Sequence, residues 1–288
     1  MGLIKNRQGQ YVNKVESQET CLKLLYETVP GRMCLKVLTK PFISKVVGAY
    51  MNSPLSTCII DIFLNKSNIK LSEYEKKRYG SYNEFFTRKI KKSKRPIEKD
   101  ELAFISPCDS KLTVYKINED SIFHIKGAPY TVKDLLNGDP IYKEYEGGYC
   151  MIFRLTVDDY HRYCYIDDGI KGENIFIPGE LHTVNPIALK HYNFYKRNCR
   201  EYTMLTTKHF GEVVQVEVGA MMVGKILNFH GTSEFKRGEE KGMFEFGGST
   251  TVLLVKKGQI KVDQDILKNT YHNIETVVRL GERIGYKL

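Results

Sequence analysis

The chain has 288 residues, 42% hydrophobic and 27% charged, which is enough apolar mass for a real core and rules out global disorder. Its 44 basic side chains against 34 acidic ones leave a formal charge of +10, suited to an anionic partner such as nucleic acid, a phosphorylated ligand or an anionic membrane surface. Seven cysteines (21, 34, 58, 108, 150, 164 and 199) form an odd set with no C-x-x-C pair, so reduced thiols are expected rather than a zinc knuckle or a disulfide framework.

The opening residues, MGLIKNRQGQYVNK, carry no apolar run of the secretory kind, and Asn6 stands where a myristoylation signal needs Ser or Thr. Segments 19–29 and 36–51 space their apolar residues three and four apart with lysines between them, which predicts amphipathic helices. Pro54 breaks the pattern, and a further short helix is expected toward Leu64. The longest uncharged stretch, Val46 to Ile60, is too short to span a bilayer. Helices of this kind pack on a core or lie on a membrane interface.

Residues 86–99 (FTRKIKKSKRPIEK) form a dense basic cluster, ordinarily a solvated face and less often a dock for phosphate or anionic lipid. No helix-turn-helix, zinc-finger or RNP pattern accompanies it, so nucleic acid is not expected as a partner. From about residue 100 the texture turns to strands, with β-branched runs at 149–157, 212–218 and 250–257. The expected fold class is α+β: a helical N-terminal region, 1–80, packed on a predominantly β body, 81–288.

Four segments place polar or small residues where strands begin or end. In Ser106-Pro107-Cys108-Asp109-Ser110 an aspartate sits in a proline turn, where it ordinarily bonds its own backbone. Asp158-Asp159-Tyr160-His161-Arg162 sets a histidine among charges that would tune it, although a surface turn has the same composition. Leu181–Pro186 reads as a turn. Phe246-Gly247-Gly248-Ser249-Thr250 leads into an apolar strand, and paired glycines there allow a tight entry or a backbone bent enough for a hydroxyl to reach the carbonyl behind it. No spacing suits a metal site, since His182 and His191 lie nine residues apart and no H-x-x-x-H occurs.

In order, Tyr82–Lys89, Ser106–Asp109, Asp159-Tyr160-His161-Arg162, Val184-Asn185-Pro186, Val218–Gly224 and Gly242–Thr250 resemble the motifs of the phosphatidylserine decarboxylase family. These enzymes are pyruvoyl-dependent and cut themselves. The resemblance covers roughly residues 80–288. It implies attack by Ser249 Oγ on the Gly248 carbonyl, cleavage into 1–248 and 249–288, and conversion of Ser249 to a covalent pyruvoyl cofactor. It further implies that the substrate is phosphatidylserine, with Lys or Arg from 88–95 near its phosphate. The product would be phosphatidylethanolamine, the two chains would stay together as a heterodimer, and the enzyme would be peripheral on the cytoplasmic face of the cell membrane.

Catalytic roles fall by the same resemblance on Ser249, Asp109 and His161, with no metal. One position departs from the pattern. Cys164 stands where the family usually places a second histidine as the charge-relay partner. The relay then rests on His161, or slowly on Cys164, or is impaired. The alternatives are a lipid- or headgroup-binding homologue that stays one chain, and a decarboxylase of another amino-acid-bearing lipid.

Overall fold

The computed structural model describes residues 3–12, 41–67, 69–125, 128–179, 198–219, 225–245 and 249–288. The segment expected as a helix at 19–29 lies outside them. Three helices precede the body or enter it: α1 (Pro41–Met51), α2 (Cys58–Lys66) and α3 (Tyr82–Phe86). Two more, α4 (Val132–Leu135) and α5 (Gln264–Tyr271), lie within it.

The strands begin with β1 (Leu3–Lys5), β2 (Ala103–Ile105), β3 (Ser110–Lys116), β4 (Phe123–Ile125), β5 (Ala128–Tyr130) and β6 (Tyr149–Arg154). They continue with β7 (Arg162–Cys164), β8 (Gly169–Ile177), β9 (Arg200–Thr207), β10 (Gly211–Val218), β11 (Ile226–Asn228) and β12 (Ser233–Phe235). The last are β13 (Glu240–Phe244), β14 (Thr250–Val255), β15 (Ile260–Val262), β16 (Ile274–Val278) and β17 (Arg283–Lys287). The mixture is α+β with a mostly β body, as the residue texture predicts.

Nine strands make the main sheet, in the order β1-β16-β3-β6-β14-β10-β9-β8-β12. All its pairs are antiparallel except β1 with β16. Two three-stranded sheets, β11-β13-β7 and β15-β17-β2, contribute Tyr163, Phe244, Phe104, Ile260 and Ile284 to one core face, against Phe153, Val213, Leu253 and Val255. The other face carries Ile152, Val214, Val216, Val252 and Leu254 beneath Tyr130, Leu135 and Tyr145. Strand β14 is therefore buried along its whole length on both faces, which is why its sequence, TTVLLV, is an apolar run rather than an alternation.

The N-terminal strand is a finding that the helical reading of 1–80 did not anticipate. Leu3–Lys5 is only three residues long and extends the sheet by parallel pairing with Ile274–Thr276, while Arg7 clamps it through Asp263 (2.7 Å) and Asp265 (2.6 Å). The helices form a separate layer. Ile60 of α2 and Tyr82, Phe85 and Phe86 of α3 share a small core with Phe63 and Val157.

Between the main sheet and β11-β13-β7 lies a charged interior. Lys241 Nζ donates to Glu217 Oε1 (2.8 Å) and to Asn228 Oδ1 (2.7 Å), with both charged side chains fully buried. Asn228 Nδ2 donates onward to Glu201 (2.7 Å). Nearby, buried Lys171 donates, among the described residues, to the carbonyls of Gly172 (3.1 Å) and Gly231 (3.2 Å). Burial, reinforced by Lys241, lowers its ammonium from the ordinary 10.5 to about 8.

Candidate active site

Antiparallel pairing brings the start of β3, the end of β6, the end of β10 and the start of β14 to one edge of the sheet, and the end of β16 joins them there. The predicted site residues gather at this edge. Asp109 immediately precedes β3, His161 follows the turn after β6, and Ser249 immediately precedes β14.

Ser249 is 1% exposed, and its carbonyl accepts the Leu155 N–H at 2.9 Å, extending the ladder by one rung. Strand alternation turns its side chain to the face shared by Thr251 and Leu253. Among the described residues the hydroxyl there has no hydrogen-bond partner. The buried hydroxyls of Ser110, Thr250 and Thr251 beside it are likewise unpartnered among the described residues, so this edge holds a cluster of unsatisfied hydroxyls.

The turn after β6 is built around Asp159. Its carboxylate accepts from Lys111 Nζ (2.6 Å) and from the Thr156 N–H (2.6 Å), so β3 holds the turn that follows β6. Burial pushes the Asp159 carboxyl up; Lys111 opposes the shift, and Asp158 adds to it. The Asp159 carbonyl lies 3.0 Å from His161 Nδ1. A carbonyl only accepts, so Nδ1 carries the proton and Nε2 is the basic nitrogen of the neutral ring.

The His161 ring is fully buried and packs on Phe86, centroids 3.9 Å apart. Arg88, also buried, fastens the same helix to the turn, donating to the carbonyls of Asp158 (3.1 Å) and Asp159 (3.2 Å). Arg162 bonds the Thr87 carbonyl (2.9 Å) and pairs with Glu240. The 82–89 motif is thus the support on which His161 rests.

Asp109 does not bond its own backbone as a lone turn aspartate would. Its carboxylate accepts from Arg95 Nε (2.8 Å) and Nη2 (2.5 Å) and from the Leu280 N–H (2.8 Å). Burial alone would lower the Arg95 guanidinium, but bonding and attraction to Asp109 raise it overall. Two arginines of the basic cluster are therefore committed inward, Arg88 to carbonyls and Arg95 to Asp109. Among the basic residues of 88–95, only the lysines are exposed.

Cys164 lies at the end of β7 with its N–H on the Pro107 carbonyl (2.9 Å). Burial pushes its thiol up to about 12, which Arg237 offsets only in part. Burial likewise raises the neighbouring Cys108 thiol well above its ordinary value. A thiol in this state is protonated at neutral pH and relays no proton as thiolate.

His182, Val184–Pro186, the 220–224 stretch, Gly247 and Gly248 lie outside the described residues. Sequence reasoning missed Arg95 and Lys111 as the partners of the two carboxylates. Each was hidden in a pattern of ordinary surface charge.

A buried serine hydroxyl, a histidine of fixed tautomer and two charge-paired carboxylates stand at one edge of the sheet, side-chain types that an enzyme's site uses. Comparison with known proteins gives that enzyme a family. The phosphatidylserine decarboxylase profile matches residues 82–286. The chain is 51% identical over 265 residues to phosphatidylserine decarboxylase proenzyme 2 of Clostridium acetobutylicum, covering 92% of this chain and 91% of that protein. It is 41% identical over 273 residues to a phosphatidylserine decarboxylase proenzyme of Clostridium botulinum strain 657, covering 93% and 92%. A proenzyme of the same name from Clostridium tetani is 39% identical over 276 residues. The chain belongs to the phosphatidylserine decarboxylase family.

Proposed function

We propose that this chain decarboxylates phosphatidylserine to phosphatidylethanolamine after cutting itself between Gly248 and Ser249. The observation that carries the reading is the burial of Ser249 at the head of the central strand, with its hydroxyl unbonded among the described residues. In the first step Ser249 Oγ adds to the Gly248 carbonyl carbon and gives its proton to His161 Nε2. The Gly248–Ser249 C–N bond breaks, the freed nitrogen takes that proton, and an ester links the two residues. Loss of the Ser249 Cα proton and departure of the Gly248 carboxylate leave a dehydroalanine. Water then releases its nitrogen as ammonia and leaves a pyruvoyl end on residues 249–288.

The site fits such a group, because residue 249 is buried and its carbonyl is already held by the Leu155 N–H. The pyruvoyl carbonyl supplies an electron sink for loss of CO₂ from an amine-bearing substrate. The protein's own part is to exclude water and to hold protons. Phe86 shields the His161 ring, and the Asp159 carbonyl fixes its tautomer. His161 is preferred over Cys164 as the relay because the Cys164 thiol stays protonated.

The two products remain one heterodimer, since β14 lies between β6 and β10 and β16 between β1 and β3. No described helix is long and apolar enough to cross a membrane. Leu55 (75% exposed), Ile62 (58%) and Val46 (51%) instead give the helical layer an apolar outer surface. With the basic charge of the chain, that surface supports peripheral attachment to the anionic cytoplasmic face of the cell membrane.

The test is the intact mass of the protein under denaturing conditions. Two chains divided at 248/249 are expected, the smaller with a pyruvoyl end, together with CO₂ release from phosphatidylserine. Ser249→Ala should remain a single chain without activity. Two chains in that variant would refute the self-cutting route, and full maturation without turnover would favour another substrate.

A further inference from the structure

The structure also holds a cavity of about 990 Å³ that neither His161 nor Ser249 lines. Its walls are the loop after β1, the 94–99 segment and the turn between β16 and β17. We propose that this cavity is a binding site for a phosphate ester.

Six cations line it, against three carboxylates. Three of the cations are already committed. Arg7 is paired with Asp263 and Asp265, Arg283 reaches Asp263 (3.3 Å) and the Tyr286 hydroxyl (2.8 Å), and Arg95 holds Asp109. The side chains of Lys94, Lys99 and Arg279 have no ion pair or hydrogen bond among the described residues.

The carboxylates offset these cations only in part, and none forms an ion pair with Lys94, Lys99 or Arg279 among the described residues. Asp265 is held by Arg7, Glu282 accepts the Arg279 N–H (2.9 Å), and Glu98 accepts the Lys99 N–H (2.8 Å). Arg7, Arg95 and Arg283 are matched by Asp265, Asp109 and Asp263. The exposed side chains of Lys94, Lys99 and Arg279 therefore outnumber Glu98 and Glu282 and leave this open concave space with an excess of one positive charge.

The walls are also fixed before any ligand arrives. The Glu98 N–H donates to the Gly281 carbonyl (3.0 Å), and the Gly281 N–H donates to the Ser106 carbonyl (2.9 Å). Gly281 has φ +80°, and a Cβ there would lie 2.7 Å from Ile97 Cδ1 and 2.9 Å from the Pro96 carbonyl oxygen. Only glycine lets the two walls approach this closely, and that approach sets Arg279 beside the Lys94–Lys99 segment.

One guanidinium and two ammonium groups match the several acceptor oxygens of a phosphate better than a single carboxylate. The volume leaves room for the organic part of an ester. Because Arg95 is both a wall of the cavity and the partner of Asp109, an occupant sits one side chain away from the reaction edge. A lipid headgroup and a soluble sugar or glycerol phosphate present the same chemistry.

The proposal does not rest on decarboxylation, and its test requires no turnover. Calorimetric titration of the full-length protein with sn-glycerol 3-phosphate forms one arm. Sedimentation with phosphatidylcholine vesicles containing phosphatidic acid forms the other. Saturable binding is expected in at least one arm, weakened at least about tenfold in Lys94→Gln/Arg279→Gln by loss of charge-assisted hydrogen bonds. Response in the soluble arm alone identifies a metabolite, and response in the vesicle arm alone identifies a headgroup. Arg279→Gln by itself should show an intermediate loss with an unchanged melting temperature. No saturable binding in either arm, or equal binding by wild type and the double variant, would overturn the proposal.

Discussion

The β body of this molecule buries charge, while its N-terminal helices expose hydrocarbon, and the two inversions have different causes. In the body, Glu217 and Lys241 are fully buried but answer one another, and Asn228 links them to Glu201. In the helical layer, Leu55, Ile62 and Val46 are largely exposed although Ile60 and Phe63 of the same layer reach the core beneath. The first inversion is resolved inside the fold. The second is left open to something outside it.

Breaking the buried pair should have the largest effect. Lys241→Ala leaves Glu217 buried and uncompensated, and a loss of about 3–5 kcal/mol of stability is expected in denaturant titration. Lys241→Met/Glu217→Leu should recover most of it. If the single variant costs nothing, the interior is wetter than the burial of its side chains indicates.

A smaller effect follows from Lys171. Its folded value of about 8 lies below the ordinary 10.5, so between those pH values the unfolded chain binds the extra proton and folding releases it. Lys171 therefore costs stability below pH 8, and that cost is relieved as pH rises toward 10.5. Relative to Lys171→Met, the wild type should gain stability of order 1 kcal/mol over this window. A pH-independent difference between the two would show that Lys171 is solvated.

The helical layer should give the smallest change in stability. Leu55→Asp/Ile62→Asp removes no buried contact of these exposed side chains, and a shift within about 0.5 kcal/mol is expected. Sedimentation with anionic vesicles should nevertheless fall sharply, because apolar area and charge act together at a membrane surface. Unchanged vesicle binding would place the membrane-facing surface elsewhere.

The long strands were legible in the sequence because burial on two faces leaves continuous apolar runs, as at Tyr149–Arg154 and Thr250–Val255. Gly211–Val218 was legible through its β-branched residues. The helices at Pro41–Met51 and Cys58–Lys66 followed from spacing and from the break at Pro54. Leu3–Lys5 was not legible, because three residues carry no period and their pairing lies some 270 positions away.

At the site, Ser249, His161 and Asp109 were found through ordered motifs rather than local pattern. The Arg95–Asp109 and Lys111–Asp159 pairs escaped both routes. A lysine or arginine committed inward reads in sequence like one facing water, and only the register of β3, β6 and β16 brings these groups together. The buried charges of the interior were hidden for the same reason.

The order of the main sheet also acts as a clock. Its middle strand, β14, is the fourteenth of seventeen to be synthesised and must enter between β6 and β10, which are made earlier. The slot next to β3 is filled later still, by β16, whose preceding helix and following turn carry the groups that clamp Arg7 and Asp109. A chain made only as far as β15 holds Asp109 and His161 but not the Leu280 N–H that the Asp109 carboxylate accepts. The proposed cut is therefore expected to follow the docking of β16 and Leu280, and the appearance of two chains would report that the slot beside β3 has been filled.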